Sequence, residues 1–185
     1  MKKLLVILIA LMCSCSNSVK KELILLQSRP IIFPKNAKFS INGRDTTILN
    51  YFKSDIKVVV YADATACASC EVRYLELWKP YIDKARNTES LSYCFILAPE
   101  KKDSLSILAS LKAYPIDHPV LLDYNQEFIN LNTHLPQNKN FHTLVLDRDN
   151  TTVLVGNPIF NQNIRNMYKS TIDNMIENRG VYIPQ

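Results

Sequence analysis

The chain has 185 residues, 22 of them basic and 17 acidic, for a net charge of +5. Hydrophobic residues make up 47 %, enough for a full core. The mild basicity forms no stripe, which speaks against nucleic acid as a partner.

Met1-Lys2-Lys3 is followed by an unbroken apolar run from Leu4 to Met12, and Ser14-Cys15-Ser16 comes directly after it. This is the pattern of a secretory signal peptide, too short to span a bilayer as a permanent helix. A cysteine after a short apolar run and a small residue resembles a bacterial lipobox, in which the thiol is acylated and becomes the new N-terminus. Cys15, preceded by Ser14, fits that pattern better than Cys13, preceded by Met12. The expected division is therefore 1–14 signal peptide, 15–28 tether and 29–185 one domain, with the net charge reduced to +3 once Lys2 and Lys3 are removed. Ser16 after Cys15 points to a cell-envelope protein, lipid-anchored in the outer membrane and facing the periplasm. That compartment is oxidising, so a close cysteine pair there can cycle or stay bridged.

Arg29 to Pro34 reads as an extended lead-in. Lys38 to Ile48 alternates about Asn42-Gly43, a hairpin signal. Leu49 to Ser54 has the look of one helical turn. Lys57-Val58-Val59-Val60-Tyr61-Ala62 is the run of a strand buried on both faces. Cys67 to Arg86 predicts a helix with Val72, Leu75, Trp78 and Ile82 inward and a kink at Pro80. Leu91 to Ala98 is a second core strand. Lys101 to Tyr114 is a second helix, with Leu105, Leu108, Ala109 and Leu111 on one face. His118 to Asp123 is a short strand and Asn125 to Leu131 a short helix. Phe141 to Asp147 and Thr151 to Gly156 form a hairpin across Arg148-Asp149-Asn150. Asn163 to Asn178 is a closing helix with Ile164, Met167, Tyr168, Ile172 and Ile176 inward. Strands alternating with helices imply a mostly parallel sheet covered on both faces, a three-layer α/β sandwich ending in an antiparallel pair.

Chemistry concentrates at Cys67-Ala68-Ser69-Cys70, between a buried strand and an amphipathic helix. Orphan amides and the positive end of the helix dipole stabilise a thiolate there, and a thiol so placed can fall well below its ordinary pKa near 8.5. Cys67 is the expected nucleophile. Cys70, one turn on and expected to be more buried, is the resolving thiol. A zinc site would need a second pair of ligands in sequence, but His118, His134 and His142 are scattered. A peroxidatic cysteine would need Pro and Thr where Cys67 has Val60 and Ala64. Cys94, in mid-strand, reads as an inert core thiol.

The strand KVVVYA, the CASC helix, the strand YCFILA, the VLLD–NQEF segment and the FHTLVLD–TTVLVG hairpin together resemble the TlpA-like thioredoxin family of membrane-tethered disulfide reductases. The resemblance covers about residues 35–177. It implies a thioredoxin-like α/β/α sandwich with a mixed central sheet and an N-terminal β-hairpin, with Cys67 and Cys70 as the active pair. It further implies protein thiol and disulfide substrates, a membrane electron donor and no bound cofactor. The chain departs from that family in three places. Asn140-Phe141-His142-Thr143 lacks the proline that thioredoxins place before the hairpin strand. Arg73 stands where many TlpA-like members have an acid, favouring thiolate while Glu71 opposes it. The buried acid of the preceding strand falls at Tyr61. If the hairpin docks as in thioredoxins, Phe141, His142 and Thr143 flank the cysteines. His142 could then move a proton, or join Cys67 and Cys70 in holding a soft metal such as Cu(I). The last option is similar to copper chaperones of thioredoxin fold, although those space their cysteines as C-x-x-x-C. Two readings follow: a tethered thiol–disulfide oxidoreductase, or a redox-inactive or metal-handling binding module.

Overall fold

A computed structural model describes residues 19–35, 38–48, 51–63 and 67–184. The expected signal peptide and Cys15, the residues Leu49 and Asn50, and residues 64–66 lie outside the described residues; Tyr51 to Ser54 is turn and bend rather than helix.

The first element is a helix whose described part runs over 19–27, α1. Leu26 within it is fully buried, as is Ile31 in the lead-in. Packing onto the domain therefore begins inside the segment expected to act as a tether. The lead-in is fixed further by Asn132, whose side chain accepts from Ile32 N–H at 2.8 Å and donates to Ile32 C=O at 2.8 Å.

The hairpin is β1 (Phe39–Ile41) and β2 (Arg44–Thr46). Asn42 and Gly43 at its tip take φ of 53° and 72°, the positive pair a tight two-residue turn demands. Then come β3 (Ile56–Ala62), α2 (Ala68–Tyr74), a 3₁₀ turn (Leu75–Trp78), α3 (Lys79–Arg86) and β4 (Leu91–Leu97). After them follow α4 (Ser104–Ala113), β5 (Val120–Leu122), α5 (Glu127–Leu131), β6 (Thr143–Leu146), β7 (Thr152–Val155) and α6 (Gln162–Glu177). The helix expected over Cys67–Arg86 is thus two helices joined by a 3₁₀ turn. Pro80 sits in the first turn of α3. It has no N–H to give and its ring crowds the carbonyl of Glu76, so the break falls in the turn before it.

The seven strands among the described residues form one sheet in the order β2-β1-β5-β4-β3-β6-β7. Only β3–β4 and β4–β5 run parallel; the other four pairings are antiparallel, which corrects the expectation of a mostly parallel sheet. The parallel pairs are the two joined through helical crossovers, whereas hairpins close both edges. The sheet is mixed, as the resemblance implied.

Alternation along β3 sends Ile56 and Val58 to one face and Val59 and Tyr61 to the other. The first face is covered by Val72, Trp78, Ile107, Leu111 and Tyr168 from α2 to α4 and α6. The second is covered by Leu26 of α1 and Phe128 of α5. On α4 the inward residues are Ile107 and Leu111, while Leu105 is 80 % exposed. On α6 Thr171 and Met175 join Tyr168 and Ile172 inside, and Met167 faces out. Both shifts turn a helix by about one position from the expected face, because the docking partner selects among several apolar stripes. No helix among the described residues is long and apolar enough to cross a membrane.

Candidate functional site

β3 delivers the chain to the edge of the sheet core at Ala62 and Asp63, and α2 carries it back across. Cys67 holds the N-cap position, with an extended backbone at φ −68° and ψ 98°. Its carbonyl accepts from Glu71 N–H at 3.0 Å, closing the first helical turn. Cys67 and Cys70 are joined as a disulfide with Cα atoms 5.2 Å apart. The strand-to-helix placement read from the sequence is therefore the one observed.

Burial differs from the expectation. Cys70 is exposed, as is Cys67. The buried residues of this stretch are Val72 and Leu75, and Cys70, two residues before Val72, lies on nearly the opposite side of the helix. The sulfur one turn in is thus carried on an outward stripe.

Along α2 opens a cleft of about 750 Å³, walled by that helix from Glu71 onward, by the segment before β6, and by the loop between β7 and α6; neither Cys67 nor Cys70 is among its lining residues. Glu71 and Tyr74 line it. Counted back one turn, the same stripe meets Cys67 (i, i+4), although the lining of the cleft itself starts at Glu71. Phe141, His142 and Thr143 line the opposite wall. Gly156 completes the wall at φ 128°, its N–H donating to Thr143 C=O at 2.9 Å. A Cβ at that position would press on Ile164 at 3.2 Å, so a bare backbone suits it.

Arg73 is not part of this group. Its guanidinium lies 5.5 Å over the ring of Tyr114, at the end of α4, where it makes a cation–π contact away from the cleft. Its expected influence on the thiolate is replaced by groups the sequence did not single out. Asp63, at the end of β3, and Lys139, in the 3₁₀ turn Lys139–Phe141, both line the cleft and approach each other at 3.8 Å. Glu71 is half-buried, and burial first, then Asp63, raise its pKa against the opposing pull of Lys139. A carboxyl so placed takes up a proton more readily than an exposed one.

His142 is buried and sits against Tyr61, with ring centroids 5.1 Å apart. Its Nε2–H donates to Pro136 C=O at 2.8 Å, which leaves Nδ1 as its basic nitrogen. Desolvation lowers its pKa from the ordinary 6.5, so it stands neutral. Its carbonyl accepts from Tyr61 N–H at 2.9 Å, tying the segment to β3. Among the described residues no three of His, Cys, Asp and Glu are grouped to hold a metal ion, so Cys67, Cys70 and His142 are not assembled as a ligand set here. Burial raises the pKa of Tyr61 well above that of an ordinary phenol, with Asp63 and Asp123 adding to it. The site thus has a phenol where a buried acid was looked for, and an acid one turn into the helix instead.

No signal in the sequence marked Lys139 or Asp63. Lys139 reaches the cleft only because a 3₁₀ turn precedes β6, and 3₁₀ turns carry no periodic pattern. The exposed rings of Tyr74 and Phe160 meet edge to face at 5.7 Å on the cleft's lining; their proximity comes from the fold alone.

No family model and no curated protein matches this sequence. Solved structures do. A hypothetical protein from Sinorhizobium meliloti superposes with a TM-score of 0.52 at 13 % identity, covering 85 % of this chain and 90 % of that one. A thioredoxin-like protein from Bacteroides caccae shows 19 % identity and a TM-score of 0.48, covering 82 % of this chain and 53 % of that one. A thioredoxin-like protein from Porphyromonas gingivalis shows 11 % identity and a TM-score of 0.49 over 79 % of this chain and 92 % of that one. The mixed sheet with helices on both faces, and the disulfide-bearing helix following an inner strand, together form the thioredoxin-like α/β/α arrangement expected from the sequence.

Proposed function

We propose that the protein is a thiol–disulfide oxidoreductase, held at a membrane through acylated Cys15 and working through Cys67 and Cys70. The observation that carries the reading is the disulfide itself, exposed at the opening of a helix and followed directly by Glu71, which lines a cleft. A C-x-x-C loop encloses too few residues to be an effective staple for the unfolded chain. Exposure is likewise the wrong setting for a purely structural bond.

In the reduced protein the Cys67 thiolate attacks one sulfur of a substrate disulfide. A mixed disulfide forms and the first substrate thiolate leaves. Cys70 then attacks the Cys67 sulfur, which regenerates the Cys67–Cys70 bond and releases the second substrate thiol. Two electrons have passed to the substrate. An external dithiol donor at the membrane, with the complementary exchange, returns the protein to its reduced form. Orphan amides at the start of α2 stabilise the Cys67 thiolate. Glu71, one turn along the same stripe and readier than an ordinary carboxyl to hold a proton, exchanges protons with the pair during the two steps. Neutral His142 and Tyr61 brace the opposite wall. The TlpA-like resemblance and the expected outer-membrane location facing the periplasm agree with this reading.

The test is trapping. A Cys70→Ala variant, expressed with its signal peptide, should accumulate mixed disulfides with envelope proteins that dissolve on reduction. If Cys70→Ala traps none while Cys67 is accessible and reduced, the protein is not an exchange enzyme.

A further inference from the structure

Helix α1 has three different sides. Leu26 is buried in the second core face at 0 % exposure, and Leu23 lines the cleft along α2. The remaining side points away from the domain and carries Ile24 at 57 % and Leu25 at 47 % exposure, next to the exposed Lys20 and Lys21. Ile24 is two residues from Leu26 and so lies nearly opposite it on the helix. Val19, also exposed, stands seven residues before Leu26 and so on the inward stripe rather than on this side. Single exposed apolar residues need no explanation, but Ile24 and Leu25 interleaved with Lys20 and Lys21 on the outward side of the described helix are the mark of a segment lying in a membrane interface.

We propose that α1 rests on an anionic phospholipid surface with this side, and so holds one wall of the cleft at the membrane. The proposal rests on the acyl anchor of the reading above only for proximity: Cys15 stands four residues before Val19. An anchor that close raises the effective concentration of the helix at the surface, so weak contacts suffice. Lys20 and Lys21 supply the complementary charge, each worth about fivefold in partitioning onto an anionic surface. Because Leu23 and Leu26 fix the same helix to the cleft and the core, the orientation of the domain follows. Cys67 then works within reach of the bilayer, where a membrane-embedded dithiol donor is found.

The experiment uses the mature chain from Cys15 onward with its Cys67–Cys70 disulfide intact. Cys94 is buried, so Cys15 is the thiol that couples to a maleimide lipid in vesicles of phosphatidylethanolamine and phosphatidylglycerol. The native tryptophan, Trp78, is buried and gives a constant background. Leu25→Trp reports on α1, and Leu105→Trp on the exposed side of α4. Brominated lipid should quench the first and not the second. Lys20→Gln with Lys21→Gln should reduce the occupancy, by about fivefold per lysine. Equal quenching at the two positions overturns the proposal, and so does concentration-dependent self-association that covers Leu25→Trp without lipid. Acylation of Cys15 is read separately, by whether Cys15→Ser releases the protein from membranes in cells. The coupled chain gives its answer whichever way that result falls.

Discussion

Cys94 and the Cys67–Cys70 pair carry the same element in two settings, with Cys94 standing 24 residues after Cys70 in the chain. Cys94 sits in mid-β4, opposite Val59 of β3, with no exposure. Burial pushes its thiol up to about 12, with Ser92 and Lys57 offsetting only part of that. At neutral pH about one such thiol in 10⁵ is ionised, and thiolate is the reactive form. Cys67 and Cys70 stand where the sheet ends and a helix begins, exposed, among amides with no intrahelical acceptor. What separates them is desolvation against dipole, and each can be altered by substitution.

The largest effect expected is on exchange itself. Cys67→Ser should reduce disulfide exchange with a fluorescent glutathione disulfide to the uncatalysed rate, while Cys94→Ala leaves it intact. Loss of activity in Cys94→Ala, with the fold preserved by circular dichroism, would erase the distinction between the two settings. Cys94→Ser should instead act on stability. A hydroxyl placed in that apolar strand costs about 2 kcal/mol, or roughly 4–8 °C in Tm for a chain of this size. Thermal unfolding followed at 222 nm reads it directly. In the same vein, Cys94 should resist iodoacetamide until denaturant is added.

Reducing the Cys67–Cys70 bond should do less to stability than to activity. Closing a loop of four residues removes at most about 2 kcal/mol of unfolded-chain entropy. Urea unfolding of the oxidised and reduced forms should therefore differ by no more than that. A larger gap would show the bond to be a staple after all.

The fold and the pair were legible in the sequence to different depths. β3 and β4 could be read because Val58, Val59, Phe95 and Ile96 are buried on both faces and leave no room for another pattern. The hairpin tip could be read because Asn42 and Gly43 tolerate positive φ. Cys67 and Cys70 were legible for a related reason: a short motif at the junction of two strongly patterned elements. The surroundings were harder. Cys70 was expected to be inside, since the second cysteine lies one turn deeper, but its side depends on Val72 being the residue that docks. Arg73 was expected to act on the sulfurs, yet Tyr114, 41 residues away in the chain, claims it. Asp63 and Lys139 meet only once β3 and the turn before β6 are neighbours. Local pattern decides elements; the proton-handling groups are set by contacts between elements.

Glu71 sharpens the comparison from the polar side. Its raised pKa means that the folded protein holds a proton there that the unfolded chain gives up near the ordinary 4.5. The folded state binds more protons over that window, so Glu71 lowers stability progressively as pH rises from about 4.5 through its folded pKa. Glu71→Gln should remove that part of the pH dependence. It should also flatten the pH profile of exchange on its acidic limb, because the proton acceptor nearest Cys67 along the stripe is gone. A profile identical to that of the unmodified protein would exclude Glu71 from proton transfer.

The smallest expected effect concerns His142, which has Cys94's kind of environment in the cleft's wall. Burial lowers its pKa below 6.5, and its Nε2–H is spent on Pro136 C=O. Below pH 6.5 the unfolded chain takes up a proton here before the folded one does. Stability attributable to His142 is therefore fully present above 6.5 and is lost as pH falls from there through the lower folded value. His118 and His134 are shifted in the same direction by burial, so all three contribute to the acid slope. His142→Gln keeps a donor for the Pro136 carbonyl but cannot titrate. It should reduce the slope of unfolding free energy against pH by no more than about 1.4 kcal/mol per pH unit, the share of one proton. On the proposed mechanism Glu71 handles the protons and His142 braces the wall, so the same variant should leave the pH profile of exchange in place. If that profile shifts with the stability slope, the proton traffic of the site runs through the imidazole and not through Glu71.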